Sequence, residues 1–110
     1  MIEKTIGEIE TKISGTDSVS AAQKQELLSL LGTLKTEVAA LSQTHREQAD
    51  SIAGFASLSA HEATRSHPNP QLRELSLQGL RSSADSVEQS HPHLVQLVNR
   101  ISKTLSDLGI

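Results

Sequence analysis

The chain has 110 residues, a formal net charge of −3, no cysteine and one aromatic residue, Phe55. This length bounds it to a single domain spanning 1–110, and the lack of cysteine excludes a disulfide framework and thiolate chemistry. Positive and negative charges are interspersed, without the concentrated Lys and Arg that phosphate contacts need, so nucleic acid is not an expected partner.

No apolar run approaches the ~18 residues a membrane helix requires. The opening MIEKTIGEIE is acidic and lacks the apolar segment of a signal peptide. The expected location is the cytoplasm, with no membrane partner. The apolar mass is almost all Leu, Ile, Val and Ala. Small aliphatic chains of this kind often depend on oligomerisation to bury enough surface.

Ile2, Ile6, Ile9 and Ile13 recur at spacings of 4, 3 and 4, which predicts a short amphipathic helix. It is too short to be stable alone and must dock. Ser14, Gly15, Thr16 and Asp17 form a turn cluster that ends it. Ser20 and Gln23 fit a capping box that opens a second helix.

The stripe of that second helix is Leu27, Leu31, Leu34, Val38, Leu41, His45, Gln48, Ile52 and Phe55. Unbroken over 20–65, it would be roughly 65–70 Å long at a rise of 1.5 Å per residue. Gly54 and the polar run at 43–51 are where it would bend or break. Ser66, His67, Pro68, Asn69 and Pro70 form a stop and turn, and Leu72 begins the third segment.

A stripe of Leu77, Leu80, Ala84, Val87, His91, Leu94, Val98, Ile101, Leu105 and Leu108 then runs in unbroken phase. Pro92 interrupts the backbone by removing a donor and crowding the carbonyl four residues earlier. Either one helix is kinked there, or a new helix starts with Ser90 or His91 as N-cap and Pro92 in its first turn. The continuous phase predicts near-collinear halves in both cases.

The stretch VEQSHPHL, followed by a helix ending LSDLGI, resembles the C-terminal signature of the DUF4404 family of small bacterial proteins. Members carry a Phe-Glu-x-x-His-Pro-like motif and a Leu-x-x-hydrophobic-Gly-Ile end. Glu88, His91, Pro92, Leu105, Leu108, Gly109 and Ile110 match, and Val87 stands where the family usually has an aromatic. The resemblance covers the C-terminal third well and the leucine-rich stretch near 20–41 more loosely, while 44–71 looks divergent. It implies a helical fold and no particular activity.

Folding the second stripe back on the third about Pro68 gives an all-α antiparallel hairpin. The long helix at 20–65 lies against 71–108, with coiled-coil-like packing and the short N-terminal helix added at one end. Leu31 then faces Leu105, Leu34 faces Ile101, Val38 faces Val98, and Phe55 faces Leu80. The two polar interruptions, His45 and His91, fall opposite each other. Leu28, Leu30, Val95 and Leu97 widen the apolar face at one end, which is the expected seat for the N-terminal helix. At the other end the seam is narrow, so Gln48, Ile52, Phe55, Leu77, Leu80 and Ala84 are expected to face a second copy in a homodimer.

No nucleophile setting, glycine-rich phosphate loop or His-Lys-Gly-Ser phosphotransfer pattern occurs, and no catalytic residue or cofactor is assigned. His45 and His91 are the only metal candidates, with Glu47 and Glu88 as the nearest carboxylates in sequence. A register-fixing role is the preferred reading of the two histidines, because a metal site would need further ligands beside them. The expected function is a non-enzymatic, self-associating helical protein able to take another protein on an exposed face. The alternative is a small signalling or metal- and pH-responsive helical module using His45 and His91.

Overall fold

The structure, a computed structural model, describes residues 2–16, 19–67 and 69–108, without the side chain of Ile2. Asp17, Pro68, Gly109 and Ile110, which carry sequence expectations, lie outside the described residues. The described chain is all-α. Its five helices are α1 (Ile2–Ser14), α2 (Ala21–Leu41), α3 (Arg46–Thr64), α4 (Pro70–Asp85) and α5 (Pro92–Leu108).

Local chemistry sets the helix starts. At α2, the Ser20 hydroxyl accepts from the Gln23 N–H at 3.1 Å, and the Gln23 side chain accepts from the Ser20 N–H at 3.4 Å. Two orphan donors are thereby satisfied. At α4, Asn69 Oδ1 accepts from the Leu72 N–H at 3.1 Å, and Pro70 sits where its missing donor costs nothing. α5 begins at Pro92 for the same reason, after a turn over 86–91. The Pro92 question is therefore answered by a new helix.

The single long helix expected over 20–65 is absent. Residues 42–45 separate α2 from α3. Ser42 is still helical at φ −62°, ψ −18°, but His45 at φ −135°, ψ 65° leaves the helix. A straight pair of helices of these lengths would exceed 60 Å, whereas the longest extent of the molecule is 37 Å. The halves are not collinear, and the chain folds over at both breaks.

α3 packs most extensively on α4, and α2 packs on α5. The fold-over brings α5 against α3 and α4 as well, and α1 lies on both α2 and α3. Val95 and Leu97 of α5 therefore do not seat α1, which makes no helix-packing contact with α5. Glu10 of α1 instead pairs with Lys35 of α2 at 2.7 Å, and Lys24 Nζ donates to the Ser14 carbonyl at 3.1 Å.

α3 is the central helix and touches every other helix. Its sequence explains how. Ala49, Ala53, Ala56 and Ala60 are all buried beside Ile52, and small side chains let neighbours approach on several sides at once. At Gly79 of α4 the approach is close, because a Cβ there would clash with the Phe55 ring. The buried apolar residues of all five helices form one contiguous cluster.

The two helix–turn–helix halves repeat one another at a shift from residue 45 to residue 91. Leu31, Leu34, Val38 and Leu41 correspond to Leu77, Leu80, Ala84 and Val87, and all eight are buried. The turn sequence Gln43-Thr44-His45 corresponds to Gln89-Ser90-His91. Ala49, Ile52 and Ala56 correspond to Val95, Val98 and Ser102, all again buried. Exchanging the halves carries the packed pair α2–α5 onto the packed pair α4–α3, as an approximate internal two-fold requires.

Two hydroxyls, Ser59 Oγ and Ser102 Oγ, are buried without a hydrogen-bond partner. Ser102 stands where the other half has Ala56. Ser102→Ala is expected to stabilise the protein by about 1 kcal/mol, through relief of a desolvated hydroxyl and better helix propensity. Chemical denaturation measures it, and a loss of stability would mean that the hydroxyl is bonded in solution.

Candidate functional site

Two places stand out, one polar and one apolar. The polar one is where both breaks meet. His45 precedes α3 and His91 precedes α5, and their rings lie with centroids 5.6 Å apart at an interplanar angle of 82°. Each half builds its histidine in the same way. The His45 N–H donates to the Leu41 carbonyl at 2.7 Å, and the His91 N–H donates to the Val87 carbonyl at 2.8 Å.

In each half the preceding hydroxyl holds the ring. Thr44 Oγ1 is 2.8 Å from His45 Nδ1, and Ser90 Oγ is 2.9 Å from His91 Nδ1. Both rings are half-buried. The candidate carboxylates Glu47 and Glu88 are exposed. Among the described residues no group of three or more His, Cys, Asp or Glu gathers as a closed metal site would require. His67 and His93 are exposed, and exposed His61 has Nδ1 2.9 Å from Lys12 Nζ.

The apolar place is a groove of about 240 Å³ between α3 and α4, lined by Phe55, Leu58, Glu62, Leu72, Leu75 and Ser76. Leu75 is 54% exposed, Leu58 46%, Leu72 43% and Phe55 36%. The charges at its border are matched within the chain. The buried Glu62 carboxylate accepts from Arg65 at 2.7 Å, and Glu74 pairs with Arg81 at 3.2 Å.

The interface expected from the sequence needs correction. Ile52, Leu77, Leu80 and Ala84 are fully buried within one chain and offer nothing to a second copy, and Gln48 is half-buried. The seam looked too narrow because it was drawn between two helices, whereas the fold-over lays α5 and α1 against α3. Of the six residues only Phe55 borders the exposed groove. The residues missed are Leu58, Leu72 and Leu75. Their signal was visible, since each is a leucine off the heptad stripe.

The internal repeat gives those three leucines their meaning. The equivalent positions in the other half are Thr104, Glu26 and Ser29. The fold is built twice, and one copy uses polar residues where the other places leucine. Glu26 and Ser29 are exposed, whereas Thr104 is buried, so at Leu72 and Leu75 helix packing does not require leucine.

Comparison with protein-family models, curated proteins and solved structures finds no match to this chain. Among the described residues no helix is long and apolar enough to cross a membrane.

Proposed function

We propose that the protein is a non-enzymatic helical module that associates with a second copy of itself through the α3–α4 groove. The observation that carries this is the asymmetry of the repeat, with Leu58, Leu72 and Leu75 exposed where the other half has Thr104, Glu26 and Ser29. Three exposed leucines around one groove form a contiguous apolar patch of the kind that marks a binding surface.

The shape favours a second copy as occupant. A two-fold interface places the same patch on both sides, so it must be self-complementary. Here a protruding Leu75 stands beside a groove large enough for an aliphatic side chain, and each copy can lend its knob to the other's hole. Glu62 and Glu74 are already paired with Arg65 and Arg81, so apposing two copies sets no unpaired carboxylates against each other. The resemblance of the C-terminal stretch to DUF4404 proteins adds an expectation of helical fold and leaves the activity open.

Sedimentation at micromolar concentration tests the proposal. The wild type is expected to run as a dimer and Leu75→Glu as a monomer with unchanged helicity. Loss of a central apolar anchor weakens association by roughly 2 kcal/mol or more, about thirtyfold in Kd. A wild type that is strictly monomeric overturns the reading.

A further inference from the structure

We propose that His45 and His91 form a two-nitrogen site for a divalent transition-metal ion of the zinc, copper or nickel kind. The proposal stands on the junction between the two breaks and is independent of the α3–α4 groove. Imidazole nitrogen suits this class of ion, whereas calcium and magnesium take oxygen.

Distance is the first argument. With metal–nitrogen bonds of about 2.0–2.1 Å, two imidazoles on one ion stand with centroids roughly 5–6 Å apart. The two rings are already 5.6 Å apart. The rings stand edge to face at 82°, so the ion has only to turn them about their side-chain torsions, since helix termini set both backbone positions.

The second argument is how each ring is held. Thr44 Oγ1 lies 3.4 Å from the Leu41 carbonyl, and Ser90 Oγ lies 3.5 Å from the Val87 carbonyl. Each hydroxyl therefore lies between a backbone carbonyl and the ring, and in the tautomer with the hydrogen on Nδ1 the ring donates to that oxygen. In that tautomer, which metal binding selects, Nε2 offers its lone pair on both rings. An imidazole whose far nitrogen donates to an oxygen acceptor is the arrangement in which histidines hold metals. Its repetition in both halves sets the pair apart: among the described residues, none of the three other histidines bonds a neighbouring hydroxyl.

With two protein donors the coordination is open, and water fills the remaining positions. Such a site lends itself to reversible binding more than to a permanent structural ion. Because each nitrogen belongs to a different half of the repeat, an ion held there would cross-link α3 to α5 at the fold-over.

Titration of tag-free protein with Zn²⁺, Cu²⁺ or Ni²⁺, followed by calorimetry and by thermal melting, tests the site. The expected result is one ion per chain and a raised Tm. His45→Ala and His91→Ala should each abolish both, while His61→Ala and His67→Ala leave both unchanged. The double variant Thr44→Ala, Ser90→Ala, which keeps both rings but frees them, should bind about tenfold more weakly. Should His91→Ala fail to fold, His91→Gln supplies a polar side chain of similar reach without the imidazole. Absence of binding to the wild type, or binding unchanged in the His91 and His45 variants, overturns the proposal, as would an equal response to Mg²⁺.

Discussion

Val98→Asp is expected to cost more than about 4 kcal/mol and to leave little folded protein at 25 °C. Val98 has no solvent exposure and sits in α5, the helix that packs on α2, α3 and α4 together. Two losses add. Removing the apolar side chain forfeits about 1.5–3 kcal/mol of burial, and the new carboxylate has no cation among the Leu, Ile and Val side chains of the core. A domain of this size has only ~5–15 kcal/mol in total.

The loss should shrink on acidification. A carboxyl forced into an apolar core has a folded-state pKa above its unfolded one, so the folded variant binds the proton more tightly. Its deficit relative to wild type is therefore largest at neutral pH and narrows as pH falls toward the ordinary aspartate value of about 3.9. Urea titrations of both proteins at several pH values measure this. A variant within 1 kcal/mol of wild type at pH 7 would mean that the seam on α5 is not where the structure puts it.

Ile6→Asp makes an informative contrast. Ile6 is as buried as Val98, but it lies on α1, a 13-residue helix that among the described residues packs only on α2 and α3 and is anchored through Ile6, Ile9 and Ile13. An isolated helix of that length is marginal in water, so α1 is helical because it is docked. The charge can escape burial if α1 leaves its seat and melts. The expected cost is about 2–4 kcal/mol, capped by the docking energy of α1.

Far-UV circular dichroism should lose the contribution of one short helix. Hydrogen exchange should show protection vanishing in α1 while the α3–α4 interface, which α1 does not complete, keeps its own. A single cooperative loss of all protection would instead make α1 integral to the core.

The periodicity of the sequence carried much of this fold. The phase of the isoleucines in α1, the capping box at Ser20 and the stop before Pro70 were all readable, and so was the coincidence of His45 with His91. The change of direction at those histidines was not. The reason lies in the turn itself. Residues 42–45 occupy about one helical turn, and Ser42 keeps helical dihedrals, so the apolar stripe emerges in α3 at the phase it had in α2. A stripe in unbroken phase therefore says nothing about whether the helix axis continues or reverses.

The role of α3 was hidden for a different reason. Its alanines read as filler beside Ile52 and Phe55, yet small residues on several faces are what a central helix needs. The repeat itself was present in the sequence, in Gln-Thr-His at 43–45 and Gln-Ser-His at 89–91, and without it Leu58, Leu72 and Leu75 had no polar counterparts to be compared with. The candidate metal ligands were named from sequence; the hydroxyls that orient them, Thr44 and Ser90, became visible only once the rings had positions.

The pairing of α2 with α5, across everything between them, bears on how the chain reaches this state. The α3–α4 unit joins neighbours across a short connection and can form quickly. Bringing α5 to α2 closes a loop of roughly fifty residues, and that entropy is lost before any contact rewards it. Neither half of the repeat can mature first as a separate body, since each supplies the helix the other lies against. The nucleus is therefore expected at α3–α4, with α2 and α5 zipping on afterwards, and a ribosome must release the chain through α5 before that last helix finds its place.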